Sequence, residues 1–355
     1  MTLLHRLSRK LGFFPAKTAP PPDQPKRQQQ DLVVMLDGTL STLEPGKETN
    51  IGLIYKLLNE QSNGHVAIHY EAGLQWRTWH DGLDVMRGVG INRQIQRAYG
   101  FLAARYRPGD RIWLLGYSRG AFAVRSLAGL IDRVGLLRSK FATERHIQLA
   151  YRHYRNTPHG RAAEAFARRF CYMHTAIEAV AVFDTVKALG LRLPILWRFT
   201  DPRHAFHSAH LGHTVEHGFH ALALDETRTA YAPVLWEATE DWPGQVKQVW
   251  FRGSHGDVGG QLCGVYAARP LANIPLTWML ERLEGCGLDL PEDWQARFPQ
   301  DANAPSSGSW RGWGRFFLLR SRRYPGGDPS ELIHPTALIS PAAKRFDLPP
   351  ASAEA

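Results

Sequence analysis

Short apolar runs alternate along this chain with stretches in which apolar side chains return every three or four positions. These are the periods of a strand buried on both faces and of a helix packed along one side. Leu32–Leu36, Val66–Tyr70, Ile112–Leu115, Ile177–Phe183 and Lys247–Phe251 are the strand-like runs, the last of them read as the final central strand. Helical spacing is predicted over 51–58, over 91–106 (through Ile91, Ile95, Ala98, Tyr99 and Leu102) and over 121–131 (through Phe122, Leu127, Leu130 and Ile131). Two more helices are predicted around Phe141–Tyr154 and Arg161–Phe170. Strand and helix in regular alternation predict an α/β fold, a doubly wound, mostly parallel sheet with helices on both faces. Glu71–Gly90, rich in glycine and tryptophan, shows no clean period and reads as a long loop able to wall a site, and from Leu271 onward the pattern is less regular.

The two ends differ from this body. In residues 1–30, Leu4, Leu7, Leu11 and Phe14 share a helical face beside Arg6, Arg9 and Lys10, and Pro20–Pro22 and Lys26–Gln30 follow as an extended linker. Two readings stand, a basic anchor on a membrane surface or a disordered leader; charges interrupt any signal-peptide core, and no small-residue cleavage site follows. The expected organisation is a leader at 1–30, one domain over 31–345 and a tail at 346–355. Composition adds little to the fold and something to the partner: 355 residues at 44% hydrophobic content can build a large core, and a formal charge of +10 suits a membrane surface or nucleic acid without choosing between them. Cys171, Cys263 and Cys286 are odd in number and lack metal-type spacing, so no disulfide framework is implied and a reducing cytoplasm is the simpler compartment. No apolar run approaches the roughly 20 residues that span a bilayer, which predicts a soluble or peripheral protein.

The candidate chemistry sits at strand ends. Gly116-Tyr117-Ser118-Arg119-Gly120 is a G-x-S-x-G turn between a strand and a helix, the context that holds a serine hydroxyl above the sheet at a helix amino end, where free N–H groups favour an oxyanion. Ser118 is the candidate nucleophile and the Arg119 N–H a candidate oxyanion donor. Asp37-Gly38-Thr39 leaves the first strand; Gly38 and Thr39 are candidate second donors with Asp37 in support, and a plain turn with a capping residue is the other reading. Asp184 directly follows Ile177–Phe183, either as the acid over the same crevice or as a turn aspartate. His255, on the glycine-rich loop after Lys247–Phe251, completes the order Ser, Asp, His. Asp257, two residues on, is the competing acid, and Asp225 and Glu226 end an apolar run expected close by. His204, His207, His210, His213, His217 and His220 recur at intervals of three or four, a spacing that could stack imidazoles on one helix face, but histidines so spaced are commonly surface residues and no metal is assigned to them. Trp310–Tyr324 interleaves aromatics with Arg311, Arg315, Arg320, Arg322 and Arg323, which suits a lipid interface, a nucleic acid or an ordinary surface segment.

Taken together, LVVMLDGT, GDRIWLLGYSRGAFAVRSLAGLI, VAVFDTVKALG, HALALDE, VWFRGSHGDVGG and LIHPTAL resemble the α/β-hydrolase domain family that includes the phospholipase effectors of type VI secretion systems. The resemblance runs from about Asp31 to about Ile339. It implies a Ser118, Asp184 and His255 triad on an α/β-hydrolase fold, hydrolysing a carboxylic ester, most often of a phospholipid, through an acyl-enzyme and without metal or organic cofactor. The partners it implies are a lipid or other ester substrate, components of type VI secretion and a cognate immunity protein, while peripheral contact with an anionic membrane is expected from the charge and the basic-aromatic segments at the two ends. Export would need no cleaved signal peptide, and nucleic acid is not expected. Two positions depart from the family pattern: Ser41 stands where an Asn is usual, and Gln261 follows Gly259-Gly260 where a third glycine is usual. The rival expectation is a protein that keeps this fold without the chemistry and binds an anionic surface or nucleic acid.

Overall fold

Leu32–Leu36 has no exposed side chain, because the strand it belongs to lies inside a sheet covered on both faces. That strand, β1 (Asp31–Leu36), pairs in parallel with β2 (Val66–Glu71) on one side and β3 (Arg111–Tyr117) on the other. β4 (Ile177–Phe183), β5 (Val215–Ala223), β6 (Gln245–Phe251) and β7 (Glu331–Ile333) continue the sheet, each parallel to its neighbour, in the order β2-β1-β3-β4-β5-β6-β7. The computed structural model describes residues 27–61, 64–73, 89–186, 211–237, 242, 244–310, 314–315 and 317–340.

Alternate residues of each strand feed two cores. Leu32, Val34, Leu36, Ile112 and Leu114 pack against α2 (Val89–Arg105), α3 (Arg119–Val134), α4 (Glu144–Asn156) and α5 (Arg161–Phe170). Val33, Met35, Trp113, Leu115 and Tyr117 face α1 (Asn50–Glu60) and, from the far end of the chain, α7 (Arg269–Gly285). The predicted doubly wound architecture is therefore present, with every strand parallel among the described residues.

Four expectations are corrected. Lys247–Phe251 is not the last strand, since β7 extends the sheet past β6. The region after Leu271 begins more regularly than expected: α7 runs through to Gly285, buried on nearly every side. His213, His217 and His220 share no helix, because His213 lies in a turn and His217 and His220 in the extended backbone of β5, whereas His204, His207 and His210 lie outside the described residues. The helix expected from Phe141 starts at Glu144, after a short 3-10 turn at Ser139–Phe141, with the Thr143 hydroxyl accepting the His146 N–H as its cap. Of the long loop expected at Glu71–Gly90, Glu71 closes β2 and the final residues open α2, and residues 74–88 lie outside the described residues. At the start of the domain, the Arg27 guanidinium pairs with buried Asp110, so the chain is already tied down before β1.

Candidate active site

In this strand order β1 and β3 are neighbours whose following connections leave in opposite directions, which opens a crevice at their carboxyl ends. Ser118 stands there, between β3 and α3, with φ 59° and ψ −119°, a conformation that a side chain adopts only when the surroundings enforce it. Its N–H donates to the Phe183 carbonyl of β4 (3.0 Å). A Cβ at Gly116 would sit 2.7 Å from the Ala121 backbone, and one at Gly120 would strike the carbonyls of Leu36 and Asp37. Both outer glycines of the motif are thus demanded by backbone approach rather than by their own dihedrals.

Asp184 also has positive φ, 37°, at the turn out of β4, and is fully buried. His255 opens α6 (His255–Gly259), a short helix rather than the loop the glycines suggested, capped by a reciprocal pair of bonds between Ser254 and Asp257. These elements bring three side chains into line. The Ser118 Oγ–H donates to His255 Nε2 at 2.9 Å, and His255 Nδ1–H donates to Asp184 Oδ2 at 2.5 Å. A buried carboxylate on Nδ1 fixes the tautomer that leaves Nε2 free to accept. Burial pushes the His255 imidazole below its ordinary value while Asp184 pulls it back up. For Asp184, burial alone would raise the carboxyl, but the Arg323 guanidinium, and after it His255, hold it well below the usual carboxylate range.

The other site candidates take supporting places. Asp257 accepts from Ser254 N–H and Oγ–H (both 2.8 Å), from Ser306 Oγ–H (2.5 Å) and from the Ser307 N–H (2.7 Å), so it shapes the loop under His255. Asp225 accepts the Gly253 N–H (2.7 Å) and the Ser340 hydroxyl. Glu226 accepts the His255 N–H (3.2 Å) and grips Arg228 through both oxygens, and Arg228 lies 3.8 Å over the Tyr231 ring, whose edge meets the His255 ring at 4.8 Å. On the first loop, Gly38 donates its N–H to Asp37 Oδ1 (2.7 Å), so of the candidate oxyanion donors Thr39 and Arg119 remain. The Arg119 guanidinium reaches the Thr39 hydroxyl, joining the two remaining candidates. Both departures from the family pattern act on this loop: Gln261 Nε2–H donates to the Thr39 carbonyl (2.8 Å), and Ser41 Oγ accepts the Gly73 N–H (3.0 Å).

Asp37 itself is buried beneath the loop, accepting from Thr49 Oγ–H (2.7 Å) and Tyr70 O–H (2.9 Å), and burial raises it from 3.8 to about 6. Because the folded value lies above the unfolded one, its favourable contribution is complete below the ordinary value and is lost as pH rises through about 6. Asp37→Asn is expected to remove about 3 kcal/mol of this pH-linked loss. Denaturant titrations from pH 4 to 7 check it, and parallel stability curves for variant and wild type would refute it.

Two residues were missed by sequence reading. Arg323, grouped there with surface arginines, is buried and forks onto Asp184, Nη1 to Oδ1 at 2.5 Å and Nη2 to Oδ2 at 3.0 Å. His220 is fully buried: its Nε2 accepts the Thr185 N–H (3.1 Å) and its Nδ1–H donates to Gln248 Oε1 (3.2 Å), with burial pushing it down to about 3. Among the described residues no three His, Cys, Asp or Glu side chains gather as metal ligands, and no helix is long and apolar enough to cross a membrane.

An uncharacterised protein of Saccharomyces cerevisiae is 29% identical over 225 residues, covering 56% of this chain and 31% of its own length. A crystal structure of an uncharacterised Pseudomonas aeruginosa protein matches 77% of this chain and 49% of that one, at 15% identity and a TM-score of 0.42. The Tle1 effector bound to the VgrG spike of the type VI secretion system matches 67% of this chain and 52% of that one, at 17% identity and a TM-score of 0.32. The chain thus spans about a third of the yeast relative and about half of each solved chain. Residues 30–282, more than two thirds of the chain, match the catalytic domain of Tle1-like phospholipase effectors of type VI secretion, and the chain belongs to that family.

Proposed function

We propose that the protein hydrolyses a carboxylic acyl ester of a phospholipid with Ser118 as nucleophile. The observation that carries this reading is the continuous relay from the Ser118 hydroxyl through His255 to Asp184, set on a strained elbow. Family membership supports phospholipid as the substrate class and delivery by type VI secretion. Ser118 Oγ attacks the carbonyl carbon as its proton passes to His255 Nε2; the N–H groups of Arg119 and Thr39 hold the oxyanion. Collapse expels the alcohol, which takes the proton from His255, and water admitted to the same base then releases the fatty acid from the acyl-enzyme. Asp184 holds the imidazole in the tautomer this cycle needs. Incubated with phospholipid vesicles, the purified protein is expected to release free fatty acid, and a fluorophosphonate probe to label it but not Ser118→Ala. An unlabelled wild type that still binds vesicles would favour an inert binding protein.

The surface beside the site fits the same substrate. Leu318 (76% exposed), Leu319 (50%), Trp310 (62%) and Tyr324 (66%) project from one segment together with exposed Arg315 and Arg322, and Phe317 of that segment packs on Tyr231 at 5.5 Å. Apolar side chains flanked by cations suit an anionic bilayer, with the rings and leucines among acyl chains and the arginines on phosphates. Co-sedimentation with vesicles is expected to rise with the anionic lipid fraction, to fall as added salt shortens screening to about 10 Å at 0.1 M, and to weaken in a Leu318→Asp, Leu319→Asp double variant. Binding indifferent to lipid charge and salt, or stronger to DNA than to vesicles, would remove this surface from the proposal.

A further inference from the structure

We propose that Arg323 is the positioning residue of the Ser118, His255, Asp184 relay, acting through the carboxylate it clamps. The inference rests on the catalytic reading above. Asp184 must do two incompatible things: remain fully buried, which favours the neutral acid, and remain an anion, which the histidine requires. Ala223 N–H supplies one hydrogen bond to Oδ1 (3.0 Å) and His255 supplies one to Oδ2. Arg323 supplies the remaining two, one to each oxygen, so the carboxylate plane is fixed as well as its charge.

The guanidinium is itself held. Nη1–H also donates to the Ala223 carbonyl (2.7 Å) and Nη2–H to the Tyr231 carbonyl, which joins the clamp to the end of β5 and to the residue that walls His255. These contacts leave the fork little freedom to turn, and Asp184 is the anion it meets. A lysine keeps the charge at this position but has no fork with which to set a plane. Arg323 also lies outside the residues that match the family, 139 positions along the chain from its carboxylate partner. The C-terminal part of the chain therefore completes a site whose other members come from the matched part.

The clamp has a signature that a purely structural arginine lacks. With the guanidinium gone, Asp184 either stays ionised and raises the His255 pKa, or binds a proton that it shares with His255. Both move protonation of the relay, and with it loss of the base, to higher pH. In Arg323→Met, kcat on a soluble acyl ester is expected to fall about a hundredfold from the misplaced acid, with KM little changed, and the acid limb of kcat/KM to move up by about one pH unit. Arg323→Lys is expected to recover part of kcat with the acid limb near its wild-type position. It is the variant to read if the methionine protein does not fold. In an Asp184→Asn background, Arg323→Met is expected to cost little further, because the group it acts through is already disabled. Wild-type kcat and acid limb in either Arg323 variant would overturn the inference, as would a full additive loss in the Asp184→Asn background. Failure of the catalytic reading looks different: the wild type itself would leave the fluorophosphonate probe unreacted.

Discussion

Asp184→Asn is expected to lower turnover by about four orders of magnitude, close to the loss from Ser118→Ala or His255→Ala. The amide retains one oxygen, which the Ala223 N–H and Arg323 Nη1 hold in place on the side of Oδ1. Its NH2 group then faces His255 Nδ1, which must become an acceptor, so the ring proton moves to Nε2 and points at the Ser118 hydroxyl that needs a base. The same NH2 also confronts Arg323 Nη2 at a spacing of 3.0 Å set for donor and acceptor. Some stability is therefore lost as well, about 1–3 kcal/mol for the unsatisfied donor, and turnover must be measured on protein shown to be folded. Asp257→Asn is expected to act the other way round: the amide keeps one oxygen, so it loses as acceptor either the Ser307 N–H on Oδ1 or the Ser254 and Ser306 contacts on Oδ2, and with them stability, with a far smaller effect on turnover. A reversed order of turnover in two folded variants would transfer the role of acid to Asp257.

The sheet and the site differ in how far they were legible. Leu32–Leu36 and Ile177–Phe183 announce central strands because parallel strands covered on both faces must be apolar throughout, and the residues that leave such strands are confined to one edge of the sheet. That confinement is why Ser118, Asp184 and His255 could be gathered from sequence order alone. α7 escaped notice for a related reason: Leu271 to Leu280 is buried almost continuously, so it has no polar stripe, and Pro275 within it reads as a breaker. β7 spans only Glu331–Ile333, too short for any period to register.

Arg323 had no local signal at all. Beside Arg320 and Arg322 it looks like one more cation on a basic strand of surface, yet Arg320 stacks on Trp310 at 3.7 Å, Arg322 is exposed, and Arg323 turns inward to a buried carboxylate. What could have raised the question is a requirement rather than a pattern: a fully buried carboxylate needs its charge balanced by a nearby cation. His220 was hidden by its spacing, since six histidines at intervals of three or four suggest a helix face, whereas β5 sends this one into the sheet's interior beneath Asp184. Gly38 was misread because an N–H following an aspartate can be captured by that aspartate's own side chain, a contact set by side-chain rotation that the D-G-T phrase does not reveal.

Gly120→Ala is expected to destabilise the fold by about 3 kcal/mol or more, or to yield insoluble protein. The substitution is favourable by helix propensity, since Ala stabilises a helix interior by about 1 kcal/mol relative to Gly, and Gly120 lies in the first turn of α3. Packing outweighs this, because the added methyl meets the carbonyls of Leu36 and Asp37 and these are backbone atoms of a central strand, unable to swing aside like a side chain. Relief requires β1 to separate from α3, which would carry Asp37 and the first loop, Thr39 with it, away from Ser118 and Arg119. Residual folded protein is therefore expected to lose fluorophosphonate labelling as well as stability. Gly285→Ala is the matched control: it ends α7, is exposed and would place its methyl in open space, so it should be neutral or slightly stabilising. Equal denaturation midpoints for the two variants would show that α3 can move off β1 freely, and the close approach would then not be what fixes the elbow.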